Sequence, residues 1–196
     1  MWRLTLSSML PIGLLALGMA GPACALPGQP RDEVTAWIKA HPTLQPAIGE
    51  TLLVQKSDTP AKRFTFQASL LPPGRALPQG RGGIIRTETF SLFDMVNGVT
   101  LNRLEESLRV IYGPAVFQDY SQAQVVYAYP EQATLNAAQN RNTILRSALK
   151  GELRLGERFA YWIEIATNTN GVNFSGKFNV FLKEDLETLE IELRGR

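Results

Sequence analysis

Apolar and polar residues recur along this chain with two periods, and the periods place its elements. From Gly98 the spacing is helical. Leu101, Leu104, Leu108 and Ile111 form one stripe, Thr100 stands as the N-cap, and Val99 with Leu104 has the spacing of a hydrophobic staple. Glu105 precedes Arg109 by four residues, the favourable order for an exposed pair. Gly113 and Pro114 predict the stop. Beyond it the pattern predicts a short strand over Ala115 to Gln118, a polar turn over Asp119 to Gln122, and a strand where Val125, Tyr127 and Tyr129 alternate with Val126 and Ala128.

The rest of the chain reads the same way. Arg31 to Ala40 is a short helix with Val34, Trp37, Ile38 and His41 on one side and Asp32 and Glu33 in its first turn. Thr51 to Gln55 and Arg63 to Leu70 are strands, and Ile84 to Phe93 is another. Between them 72–83, PPGRALPQGRGG, is loop: three prolines and four glycines in twelve residues leave no room for an element. Glu131 to Asn142 is polar and reads as a long loop. Ile144 to Leu155 and Glu157 to Thr167 predict a hairpin around Gly156, with Phe159, Tyr161, Ile163 and Ile165 on one face and Trp162 and Glu164 on the other. Asn170-Gly171 predicts a type I′ turn into the strand of Val172, Phe174, Phe178, Val180 and Leu182. The last segment fits helix through Leu186, Leu189 and Leu193, and strand through Leu189, Ile191 and Leu193. Asp185 as N-cap favours helix. The fold class is α+β: a mainly antiparallel sheet with two or three helices packed on it, in a single domain over 26–196 with the Gly/Pro loop at 72–83.

The stretch 98–130 resembles the small helix-plus-hairpin domain of BamE/SmpA-type outer-membrane assembly lipoproteins, through Gly98, Thr100, Leu104, Leu108, Gly113, Pro114 and the strand ending at Tyr129. That resemblance implies an envelope protein that works by contact rather than catalysis. Ala36-Trp37-Ile38-Lys39-Ala40-His41-Pro42, Phe159 to Glu164 and Phe181 to Leu186 resemble uncharacterised exported proteins of cyanobacterial type. That resemblance brings no activity with it and implies export.

The N-terminus changes the picture more than composition does. Arg3, the apolar run Ile12 to Ala20 and Ala23-Cys24-Ala25 are the n-region, h-region and cleavage site of a signal peptide over 1–25. The run is too short for a spanning helix, which needs about 20 apolar residues. The other readings are acylation of Cys24, with Gly21 standing where a lipobox carries an aliphatic residue, and an uncleaved anchor. The expected location is the periplasm, or the thylakoid lumen. Removing 25 of 196 residues leaves 171, enough for one core, and takes away the single cysteine. It also removes Arg3, leaving 19 basic against 18 acidic residues, which gives no electrostatic case for nucleic acid.

Candidate chemistry is sparse. His41 is the only histidine, and no Gly-x-Ser-x-Gly elbow accompanies it. With no cysteine in the mature chain and no calcium-loop pattern, no metal or cofactor is expected. Gly80-Arg81-Gly82-Gly83 lacks the Lys-Ser/Thr of a phosphate loop. Glu164, inside an aromatic strand, is the acid of most interest; a hydrolase would need a second carboxylate about 5–9 Å away, with Glu88 one candidate. Arg75, Arg81 and Arg86 flank the Gly/Pro loop and could meet an anionic partner, the aromatics Tyr112, Phe117, Tyr120, Tyr127 and Tyr129 could line a groove, and Tyr127, Tyr129 and Trp162 join the arginines as candidate partner-binding residues. The expectation is a non-catalytic envelope or lumenal binding or assembly module. The alternatives are a carboxylate-dependent exported hydrolase and a carrier of a small apolar ligand.

Overall fold

A computed structural model describes residues 26–75, 83–130 and 149–195. The signal-peptide reading at 1–25, the loop interior at 76–82, Arg81 and the 131–148 segment lie outside the described residues. In chain order the elements are α1 (Arg31–Ala40), β1 (Leu53–Thr59), β2 (Lys62–Ser69), β3 (Thr87–Asp94), α2 (Leu101–Gln122), β4 (Gln124–Tyr129), β5 (Leu149–Leu155), β6 (Ala160–Thr167) and β7 (Asn173–Phe181). A single 3₁₀ turn (Lys183–Asp185) and α3 (Leu186–Arg194) complete them. The class is α+β, as the periodicities predict.

All seven strands join one antiparallel sheet in the order β1-β2-β3-β7-β6-β5-β4. Two meanders build it, β1–β3 and β4–β7. They meet where β3 pairs with β7, and α2 carries the chain from the middle of the sheet to its far edge. One face is covered by α1 and α2. Its core holds Val34 and Ile38, Leu104, Leu108 and Ile111, and beneath them Phe66, Phe90, Tyr161 and Phe178, with Phe90 and Phe178 stacked at 5.2 Å. The other face is covered at one end only, where Leu189 and Leu193 of α3 pack on Leu153, Ala160, Trp162 and Phe181.

Gly176 of β7 is what lets α2 approach. A Cβ there would lie 2.7 Å from Val99 Cγ1 and 2.9 Å from Leu104 Cδ1, and both side chains are fully buried. Gly176→Ala should therefore destabilise by about 1–3 kcal/mol through overpacking. Strand propensity alone would favour alanine by roughly 0.5–1 kcal/mol, so urea unfolding gives a sign test. A more stable variant would show that α2 does not bear on β7 there.

The structure corrects the sequence reading at several points. Ala115 to Gln118 is not a strand and Asp119 to Gln122 is not a turn. Gly113 has a positive φ of 78° and breaks the helix, but Pro114 starts a second helical stretch that runs to Gln122. Proline suits a first helical turn, where its missing N–H costs nothing. The expected Glu105–Arg109 pair is replaced: Arg109 pairs with Glu106 at 2.6 Å, and Glu105 accepts from the Tyr120 hydroxyl at 3.0 Å. The β6–β7 connection is not a type I′ turn, since only Gly171 has positive φ. Instead Asn168 Oδ1 accepts from the Asn170 and Val172 amides. Leu26 to Pro30, which composition marks as a loose start, is tied down: Gly28 donates to Ile85 O, Ile85 to Gln29 O and Arg31 to Gly83 O. Leu26 itself is buried.

Candidate functional site

Antiparallel register sets the second face of the sheet as rows running across all seven strands. One row reads Gln55, Thr65, Ser91, Lys177, Glu164, Gly151, Tyr129. The next, towards α3, reads Leu53, Gln67, Thr89, Asn179, Trp162, Leu153, Tyr127. Because side chains alternate along a strand, every member of a row faces the same side. Trp162, more than thirty positions beyond Tyr127 and Tyr129 in the sequence, thus comes to the same end of the same face.

There they join Glu164 and Lys177 in a network. Trp162 Nε1 donates to the Tyr129 hydroxyl at 2.9 Å, and that hydroxyl donates to Glu164 Oε2 at 2.5 Å. Lys177 Nζ lies 3.4 Å from Glu164 Oε1 and 4.0 Å from the centre of the Trp162 ring. Gly151 makes the network possible. A Cβ at that position would fall 2.3 Å from Tyr129 Cζ, inside the ring's own volume. Sequence reading missed this glycine; a glycine within a strand, with no turn beside it, is the signal that marks close approach. Beyond Tyr129, Tyr127 stacks at a tilt 5.9 Å away and carries the Arg194 guanidinium 4.3 Å over its ring.

The arginines go elsewhere. Arg86 makes a bidentate contact to Asp185, at 3.1 and 2.7 Å, and reaches Glu184 at 2.7 Å. The hydrogen bond to Asp185 raises its pKa further above the usual arginine value. Asp185 is therefore no side-chain cap for α3; its carboxylate is engaged by Arg86. Arg75 pairs with Glu192 of α3 at 2.5 Å. Arg75 thus ties the loop after β2 to α3, and Arg86, one residue before β3, ties the sheet to the 3₁₀ turn that leads into α3.

The acids separate in the same way. Glu88 pairs across the sheet with Ala68 and Val180, on the helix-covered face, while Glu164 stands on the opposite one. The sheet divides the two carboxylates that a glycosidase-type pair would bring together. His41 is a structural residue. Its Nδ1 accepts from the Thr43 and Leu44 amides, so Nε2 carries the proton and donates to Ile111 O at 3.0 Å. Burial lowers its pKa below the usual histidine value.

No family model, curated protein or solved structure matches the chain. Among the described residues no helix is long and apolar enough to cross a membrane.

Proposed function

We propose that this chain is an exported, non-catalytic binding or assembly module of the cell envelope or lumen, and that it meets an acidic envelope component through the uncovered half of its second sheet face. One observation carries this reading. Helix α3 covers the apolar half of that face, around Trp162 and Leu153, and leaves the polar half, from Gln55 and Gln67 to Thr65 and Ser91, exposed or half-buried. Antiparallel sheets commonly solvate one face, but here one sheet face is divided between an apolar, helix-covered end and an open end rich in hydroxyls and amides. The export signal and the two family resemblances support the location. The network around Glu164 supports a contact role, since the carboxylate is held by a phenol and an ammonium.

A photo-crosslinking residue at Gln67, in the centre of the open half, should capture one envelope component repeatedly in intact cells, and the same residue at Glu106 on the outer surface of α2 should not. Recovery of uncrosslinked monomer from both positions would overturn the reading. A second reading, carriage of a small apolar ligand, rests on a groove of about 340 Å³ on the helix-covered face, lined by Leu101, Ile163, Ile165 and Pro130 with Lys150 and Glu152 beside them. Native mass spectrometry of protein from its original host decides it: an added apolar mass supports carriage, and the bare chain mass rules it out.

A further inference from the structure

The open half of the second face contains a cavity of about 410 Å³ at the β1–β2–β3–β7 end. Its polar lining is Gln55, Ser57, Arg63, Thr65, Ser91 and Ser175, and no carboxylate lines it among the described residues. The register explains the convergence. Ser57, Arg63, Phe93 and Ser175 occupy one row, and Gln55, Thr65 and Ser91 the row beside it. Four strands thus deliver four hydroxyls, one amide and one guanidinium to a single patch.

Arg63 is the part that distinguishes this patch from an ordinary solvated surface. Its guanidinium carbon sits over the Phe93 ring, 4.6 Å from the centroid, and Phe93 is itself braced edge-on by Phe174 at 6.0 Å. No carboxylate among the described residues forms an ion pair with it, as is true also of Arg31 and Arg158, whereas Arg75, Arg86, Arg103, Arg109, Arg154 and Arg194 have acidic partners; unlike Arg158, which sits 5.2 Å over Phe159, Arg63 stands among four hydroxyls in one cavity. A guanidinium stacked on an aromatic ring keeps its N–H fork free while losing conformational freedom. Serine and threonine hydroxyls around such a fork add donors without adding opposing charge. The volume lies within the range of small-ligand sites.

We propose that this cavity is an oxyanion site, in which Arg63 grips a phosphate or carboxylate group of the acidic component and Ser57, Thr65, Ser91 and Ser175 hydrogen-bond its oxygens or the hydroxyls beside it. The inference rests on the reading of the open face as the contact surface and names the chemistry that the surface recognises.

The test is a titration of the isotope-labelled full chain with glucose 6-phosphate, glucuronate and glucose, followed by amide and Arg63 Nε–Hε resonances. Either anion should shift Arg63, Thr65, Ser91 and Ser175 together, and neutral glucose should not. A response to the phosphate alone, or to the carboxylate alone, assigns the class of group. Arg63→Gln should weaken the anion about tenfold or more, and Arg63→Lys should restore only part, because an ammonium cannot present the planar fork. Should Arg63→Gln lower the melting temperature, Ser91→Ala with Thr65→Val provides the same test without touching the stacked pair. Equal response to glucose, shifts scattered over the molecule, or anion binding indifferent to both sets of variants would overturn the site. Crosslinking from Gln67 separates the two proposals: capture by a parent chain that binds neither anion leaves the contact face standing and removes the oxyanion site, while capture lost together with anion binding in the Arg63→Gln background supports both.

Discussion

Asp119→Ala is expected to lower the stability of this protein by about 3–5 kcal/mol, the largest loss from any single side chain off the apolar core. Asp119 lies in the second helical stretch of α2 and its carboxylate reaches the β5–β6 turn. One oxygen accepts from the Glu157 and Arg158 amides at 2.9 and 3.0 Å. The other accepts from the Phe159 amide at 3.3 Å and the Tyr161 hydroxyl at 2.5 Å. Gly156 leaves room for it, since a Cβ there would lie 2.5 Å from that second oxygen. Removing the carboxylate strands three turn amides and a buried phenol at once. Each lost bond to a charged acceptor costs roughly 1.5–3 kcal/mol when its partner stays buried, and the exposed part of the turn recovers some of this through water. For a domain of this size 1 kcal/mol moves the melting temperature by about 2–4 °C, so a fall of roughly 10 °C is the calorimetric expectation. Asp119→Asn should cost less, because its carbonyl keeps some acceptors. Tyr161→Phe should cost least, near 1 kcal/mol. Asp119→Ala melting within a degree or two of the parent would show that the turn holds itself.

Glu88→Met should stabilise the protein at pH 8 by about 3 kcal/mol while changing little at pH 4. Glu88 is fully buried on the helix-covered face, and neither of its carboxyl oxygens has a hydrogen-bond partner of good geometry among the described residues. Burial pushes its pKa up to about 7, and the Tyr112 hydroxyl only partly opposes this. The sign follows from which state releases the proton first. Between about 4.5 and about 7 the unfolded chain's carboxyl is already ionised while the folded one stays protonated. Folding then requires proton uptake, so stability falls as pH rises through this window. Methionine has a similar length and no charge, so its advantage should grow over the same interval. The comparison must be parent against variant, because His41 works in the opposite direction. Its lowered pKa makes stability fall as pH drops below the ordinary histidine value. Asp94 acts lower still. The Asn97 amide, Arg103 and the Val96 amide hold its carboxyl at about 2, so its contribution is present above about 4 and is lost on acidification towards 2. Urea unfolding of parent and Glu88→Met from pH 4 to pH 8 isolates the glutamate. A difference that stays constant with pH would show that Glu88 ionises freely inside the fold.

Both effects depend on residues whose identity in the sequence carries no warning. Asp119 looks like a polar residue between two strands until α2 is seen to resume at Pro114, and its partners come from 38 to 42 positions later. Glu88 alternates with Thr87 and Thr89 in a strand of mixed polarity, and nothing local says which face turns inward. The register with Ala68 and Val180 decides that.

What the sequence by itself determined is what depends on neighbours a few residues apart. The stripe of Leu104, Leu108 and Ile111 made a helix with Thr100 at its cap, whose hydroxyl accepts from the Arg103 amide. Alternation made strands of Phe64 to Ala68 and of Tyr161 to Ile165, with the apolar face correctly assigned in the second. The leucine spacing after Asp185 fitted helix and strand alike, and the structure makes it a helix over Leu186–Arg194. Helical and strand periods are local quantities, so they survive without knowledge of the fold. The tertiary structure alone decided the strand order, the crossover of α2, and therefore which side chains share a row. Sheet register is set by pairing between segments distant in the chain, and a shift of one residue would send every side chain to the other face. For that reason Trp162 and Glu164 could be put on one face of their own strand, but Tyr129 could not be joined to them. Arg75 and Arg86 were visible as charges but not as the ties of α3. Arg63, one cation among twenty basic residues in the sequence, became distinct only once Phe93 lay beneath it and three further strands supplied its hydroxyls.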